Sequence, residues 1–232
     1  MPGDLIAMGG GGFDGDNPLP EFDSWFLKLT GVSKPRLTFI PTATGDSDYR
    51  IARFKEAARY QGVEAFILSL YWPESRDDLK RVLDSDAVFV GGGNTYNMIA
   101  LWKLWGLDEI LKQAHQQGTL LGGVSAGANC WFEECSTDSF GRALEVIPAM
   151  GWVEGSFCPH YHGEAERKPT LARFLESREM KAGWAADDYA CLRISPDGRK
   201  EAFSFQPDAL VYEVRAPEGA FIETPLVTTL IS

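Results

Sequence analysis

Short apolar runs punctuate the first half of the chain at Leu5–Met8, Arg36–Pro41, Ala65–Leu70, Ala87–Gly91 and Leu120–Val124. Each is apolar on consecutive positions, the pattern of a strand buried on both faces. Between the runs the period lengthens. Tyr49–Gln61 sets Ile51, Phe54 and Ala58 at helical spacing, with Gly62 as a stop signal, and Asp77–Leu83 and Thr95–Gln117 read as further helices. This alternation predicts a three-layer α/β fold, a mostly parallel central sheet with helices on both faces. The second half changes character. Gly151–Tyr161 reads as a strand running into a loop and Thr170–Ser177 as a short helix. Ala190–Ile194, Ala202–Phe205 and Leu210–Arg215 are strand-like and closed by turns such as Pro196-Asp197-Gly198. Extra antiparallel strands are therefore expected at the carboxyl end. No repeat, low-complexity segment or linker interrupts the pattern, which makes one domain over residues 1–232 the economical reading.

Composition narrows the partners. A net charge of -11 argues against nucleic acid, whose binding draws on clustered Lys and Arg, yet leaves room for a small anionic substrate. No apolar stretch approaches the length that crosses a bilayer, and Met1–Met8 lacks a basic leader segment. Cys130, Cys135, Cys158 and Cys191 show no CxxC pairing, so they read as reduced and structural, in keeping with a cytoplasmic protein. With three histidines and no HExxH or Cys/His cluster, neither a metal nor an organic cofactor is called for.

The most informative stretch is Gly122-Gly123-Val124-Ser125-Ala126-Gly127-Ala128-Asn129. It places a G-x-S-x-G pattern between a strand and a helix, where small residues permit a tight turn that exposes a nucleophilic Ser125. The N–H of Ala126 would face a developing oxyanion. A second strand ends in Gly91-Gly92-Gly93-Asn94-Thr95, and Gly92 or Gly93 would add a second N–H there. That loop lacks both the Walker lysine and the GxGxxG spacing, and Gly9–Gly12 lacks the acidic residue of a dinucleotide site.

A serine nucleophile needs a base. His115 reads as a solvated helix-end residue, whereas His160 lies where a strand should emerge into a loop, behind Pro159. His162, two residues on, is the other candidate, and His160 is favoured because it is nearer the strand end. For the carboxylate that orients the base, the residues leave Asp187 and Asp138 open.

Pro159-His160, GVSAGAN and GGGNT together resemble the peptidase E family of serine peptidases, which includes aspartyl dipeptidase and is related to cyanophycinase. The similarity runs from about Leu37 to Ile194. It implies a sandwich fold like that of class I glutamine amidotransferases, with Ser125 as nucleophile, His160 as base and Asp187 as the orienting acid. Asp188 is the near alternative, and Asp138 also matches an acidic position of the family. The resemblance further implies hydrolysis of short peptides with a preference for an amino-terminal aspartate. Arg167 falls near the family's substrate-reading arginine, and a homodimer is left open. The order Ser…His…Asp departs from that of α/β-hydrolases, and His162 stands where a glutaminase would carry glutamate. The rival readings are a serine amidase or esterase acting on a small non-peptide substrate, and a non-catalytic binding member of the fold.

Overall fold

The computed structural model describes residues 1–231 except Asp14, Asn17 and Glu74. The apolar runs of the first half become β1 (Leu5–Met8), β2 (Leu37–Ile40), β3 (Ala65–Ile67), β4 (Ala87–Val90) and β5 (Leu120–Val124). Helices α1 (Pro20–Lys28), α2 (Asp48–Tyr60), α3 (Thr95–Trp105) and α4 (Leu107–Gln117) separate them. Four of these strands are buried at every position, and the period of two divides their side chains between two cores. Leu5, Ala7, Val88, Val90 and Leu121 enter one, with Met98 and Trp102 of α3 and Leu111 of α4. Ile6, Met8, Phe39, Phe89 and Val124 enter the other, with Phe22 and Phe26 of α1 and Phe54 of α2. The Phe39 and Phe54 rings stack there at 4.0 Å, and truncating either to alanine would cost about 3–5 kcal/mol.

The single helix expected over Thr95–Gln117 is broken at Gly106, whose φ of 74° turns the chain between α3 and α4. Arg76–Asp84 is a 3-10 helix, started by a capping box from Ser75 and Asp78. Helix α1 escaped the sequence reading, although Pro20 at its start, acids in its first turn and Phe22, Trp25 and Phe26 on one face all mark a helix.

The next elements are α5 (Ala126–Asn129), β6 (Phe132–Thr137), β7 (Glu145–Pro148), β8 (Val153–Cys158), α6 (Arg167–Glu176), β9 (Gly183–Ala186) and β10 (Ala190–Ile194). They are followed by β11 (Lys200–Ser204), β12 (Val211–Arg215), β13 (Ile222–Pro225) and β14 (Thr228–Leu230). The expected carboxyl-terminal additions are present. β10 runs antiparallel to β1, and β11 antiparallel to β10. They complete an eight-stranded sheet of order β14-β11-β10-β1-β5-β4-β2-β3. A second, six-stranded sheet of order β13-β12-β9-β8-β6-β7 was not foreseen. Phe132, Phe157, Ala186 and Val211 pack it into the core of α3 and α4, while α6 covers its far face with Leu171, Phe174 and Leu175. Loops leaving β1, β2, β4 and β5 gather at the carboxyl edge of the first sheet, where open α/β folds build their sites.

Candidate active site

Ser125 joins β5 to α5 with φ 53° and ψ -110°, torsions that L-residues rarely adopt. Close packing enforces the bend. A Cβ on Gly123 would lie 2.3 Å from the Gly127 carbonyl oxygen, and one on Gly127 would lie 2.3 Å from that of Val90. The turn is thus wedged against the end of β4 with no room for a side chain at either glycine. The Ser125 N–H donates to the Met8 carbonyl at 3.0 Å, and the Asn129 N–H donates to the Ser125 carbonyl at 2.8 Å. Ala126, as the first residue of the helix, directs an N–H that has no intrahelical acceptor.

Ser125, Gly92, Gly93, His160 and Asp188 line one cleft of about 320 Å³. Gly10, Gly11, Gly15, Asp16, Thr44, Arg50, Val124 and Tyr189 complete its described walls. Gly92 is close to the serine, since a Cβ built on it would lie 3.4 Å from the Ser125 Cβ.

His160 follows β8 and also has a positive φ, 52°. Its Nδ1 lies 2.6 Å from Asp188 Oδ1. An ionised carboxylate only accepts, so this bond requires the proton on Nδ1 and leaves a lone pair on Nε2. Asp188 precedes β10 and is held beside the glycine loop after β1, where the Tyr189 N–H donates to the Gly10 carbonyl at 2.8 Å. Gly10 leaves room for this contact. A Cβ there would fall 1.9 Å from Asp188 Oδ1 and 2.9 Å from His160 Nδ1. Gly10 of this loop, set aside as a dinucleotide site, therefore packs directly against the His160–Asp188 pair.

The carboxylate on His160 is thus that of Asp188, the near alternative, and not that of Asp187, which the resemblance implies first. Asp187 is buried and belongs to a second pair: its Oδ1 lies 2.8 Å from His162 Nδ1 and accepts the His162 N–H at 3.1 Å. Its Oδ2 accepts the Leu210 N–H at 3.0 Å. The His162 ring meets the Tyr212 ring edge-on at 5.3 Å, and burial, with the nearby carboxylates of Asp187 and Glu223, pushes the Tyr212 phenol up to about 12. The two adjacent aspartates thus each hold a different histidine. Asp138 is exposed in the turn after β6 and lies outside the described cleft walls.

Arg167 is not brought to the cleft. It is 4% exposed, its Nε donates to Glu164 Oε2 at 2.7 Å and its Nη1 to the Ser136 carbonyl at 3.3 Å. The cation on the cleft wall is Arg50, which the sequence reading passed over. Its one signal was its place in the first turn of α2, the helix that follows β2. His115 is half-buried and not a solvated helix end: its Nε2 bonds the Gly3 carbonyl at 2.9 Å and its ring stacks on Trp152. The four cysteines are buried and unpaired. Among the described residues no group of three or more His, Cys, Asp or Glu is arranged to hold a metal ion, and no helix is long and apolar enough to cross a membrane.

A serine at a strained elbow, facing a cleft shared with a carboxylate-bonded histidine, is the arrangement of a serine hydrolase. Residues 5–201 match Peptidase family S51, and the chain belongs to that family and is a serine peptidase. It is 41% identical over 222 residues to the uncharacterized peptidase YgaJ of Bacillus subtilis, covering 96% of each chain. It is 31% identical over 155 residues to peptidase E of Streptomyces coelicolor, covering 62% of each. Among solved structures, a peptidase from an acI-B1 actinobacterium shares the fold with a TM-score of 0.75 at 20% identity, over 98% of this chain and 95% of the other.

Proposed function

We propose that this peptidase hydrolyses short peptides, as a dipeptidase or exopeptidase, through an acyl-enzyme on Ser125. His160 takes the hydroxyl proton as Ser125 attacks the scissile carbonyl, then passes it to the leaving amine. Asp188 keeps the imidazole in the tautomer that can accept a proton and stabilises the imidazolium once formed. The N–H of Ala126 and that of Gly92 or Gly93 receive the oxyanion, a donor of this kind being worth about 3 kcal/mol in the transition state. Water then releases the acid by the same proton route reversed. The observation that carries this reading is the 2.6 Å bond between His160 and Asp188 in the cleft that Ser125 lines. A cleft of about 320 Å³ is at the small end for ligand sites. It suits a dipeptide or a chain terminus better than a segment of folded protein.

The test is hydrolysis of a panel of dipeptides and aminoacyl anilides, with fluorophosphonate labelling read by peptide mass. Wild type is expected to turn over part of the panel and to be labelled on Ser125, and Ser125→Ala to do neither. Turnover that survives in a folded Ser125→Ala, or labelling elsewhere, overturns the assignment.

A further inference from the structure

Both glycine motifs close on an asparagine, Asn94 after Gly91-Gly92-Gly93 and Asn129 after Ser125-Ala126-Gly127-Ala128. Neither side chain has a part in the mechanism above. Asn94 bonds three separate elements, each at 2.8 Å. Its N–H donates to the Ala43 carbonyl in the turn after β2. Its Oδ1 accepts the Asn97 N–H and caps α3, and its Nδ2 donates to the Ser139 carbonyl in the turn between β6 and β7. A carbonyl only accepts and an N–H only donates, so these partners fix which end of the amide faces which. Asn129 is buried at the end of α5. Its Nδ2 donates at 3.4 Å both to the Ser136 carbonyl, three residues before Ser139, and to Thr95 Oγ1 at the start of α3.

The two oxyanion donors stand on different elements. Ala126 opens α5, whereas Gly92 and Gly93 lie in the loop from β4 to α3. Such donors work only within about 3 Å of the oxygen, and a misplacement of about 1 Å can cost about 10²-fold in rate. Their separation therefore has to be held. At the root of the site Gly127 is wedged against the Val90 carbonyl. Beyond it the loop has no side chains of its own to pack, and Gly93 has a φ of 131°. The loop is tied instead at its ends, by the Gly91 N–H to the Ile40 carbonyl at 3.2 Å and by Asn94. The end of β6 holds both halves. Its Ser136 carbonyl takes Asn129, and also Arg167 Nη1 at 3.3 Å, while the Ser139 carbonyl just beyond takes Asn94. That turn is itself braced on α3. Ser139 Oγ lies 2.8 Å from Thr137 Oγ1 and accepts the Tyr96 N–H at 3.1 Å, and the Phe140 and Tyr96 rings meet at 4.6 Å.

We propose that Asn94 is a positioning residue of the reaction: by tying the glycine loop to the β6–β7 turn through Ser139, it holds the N–H groups of Gly92 and Gly93 at the oxyanion. It touches no reacting atom and acts through the loop. The inference deepens the reading of Ser125 as nucleophile and rests on it. It also gives the turn that carries Asp138 a part in the reaction that uses the Ser139 carbonyl and hydroxyl and not the Asp138 carboxylate.

The experiment is Asn94→Ser in the intact protein. Serine caps a helix about as well as asparagine, so the cap and the melting temperature should be kept, while the amide that reaches Ser139 is lost and no charge is added. Two readings are taken: kcat and KM on the aminoacyl anilide that wild type turns over fastest, and inhibition by the α-aminoboronic acid of the same side chain. Ser125 Oγ adds to the boron, and the tetrahedral adduct sets a boron-bound oxygen where the oxyanion would form. Asn94→Ser is expected to lower kcat by about 10- to 100-fold and to weaken the boronic acid by a similar factor, with KM within about twofold. A folded variant with kcat and inhibition within about twofold of wild type overturns the proposal. So does one in which KM rises and kcat stays, because that loss lies in ground-state binding. Should Asn94→Ser not fold, the double variant Ser139→Ala/Phe140→Ala strips side-chain contacts between the turn and α3. It is expected to lower kcat and boronic acid affinity together, severalfold, and no change in either counts against the proposal in the same way. Wild type keeps the two readings apart. A wild type that neither turns over the anilide nor takes up the boronic acid removes the Ser125 mechanism and the role of Asn94 with it. An active, inhibited wild type beside an unmoved Asn94→Ser removes the role of Asn94 alone.

Discussion

Replacing Asp188 by asparagine separates the two neighbouring aspartates most sharply. In the native site Asp188 Oδ1 lies 2.6 Å from His160 Nδ1, and the carboxylate can only accept, which keeps the ring proton on Nδ1. An asparagine amide turned with its NH₂ toward Nδ1 would move that proton to Nε2 and remove the lone pair needed to deprotonate Ser125. It would also leave the imidazolium without its counter-charge. Where asparagine replaces the orienting aspartate of a Ser-His-Asp site, kcat falls by about 10⁴, or about 5 kcal/mol of barrier. The expected result for Asp188→Asn is a loss of that order in kcat on an aminoacyl anilide, with unchanged circular dichroism and slower fluorophosphonate labelling. Asp187→Asn is the contrast. Asp187 accepts from His162 Nδ1, His162 N and Leu210 N, so its loss should fall mainly on stability, by about 2 kcal/mol for the weakened charged hydrogen bonds. Its kcat should fall much less than that of Asp188→Asn. A folded Asp187→Asn that loses about 10³ in kcat while Asp188→Asn keeps a tenth or more would refute the reasoning and return the orienting role to Asp187.

Two further perturbations follow from the same contacts. Gly10→Ala places a methyl 1.9 Å from Asp188 Oδ1 and 2.9 Å from His160 Nδ1; the pair must separate, and kcat should drop by about 10² or more with the fold intact by circular dichroism, whereas near-native activity would show that the loop yields freely. Burial lowers the pKa of His115 below its ordinary 6.5, against smaller raising effects from the Gly3 carbonyl and Asp4. A histidine depressed in the folded state takes up its proton more readily when unfolded, so its contribution is present above about pH 6.5 and is lost as pH falls below that value. Melting temperatures measured from pH 7.5 to 5 should therefore fall less steeply in His115→Phe than in wild type.

Much of the first sheet could be read from the chain because β1, β2, β4 and β5 are buried on both faces and spell continuous apolar runs. The second sheet could not. β6 carries Glu133, Glu134, Ser136 and Thr137 within six residues, and β9 is four small or aromatic residues, Gly183–Ala186. Neither alternates cleanly, and each is a strand only because its neighbours pair with it. In the candidate site, the glycine spacing singled out Ser125 and the strand end after Pro159 singled out His160, and both line the cleft. The choice between Asp187 and Asp188 turns on which faces the Gly10 loop, a contact some 180 residues away in the chain. Arg167 carried its own warning, since Glu164 stands three residues before it, near enough in the chain to take the guanidinium.

The torsions at Ser125, φ 53° and ψ -110°, suit glycine, and holding serine there stores of order 1–3 kcal/mol. With Ser125 as the proposed nucleophile, a screen that rewards heat resistance alone will drift toward glycine at this position and accumulate inert enzyme. Any programme to harden this peptidase must select for turnover in the same round.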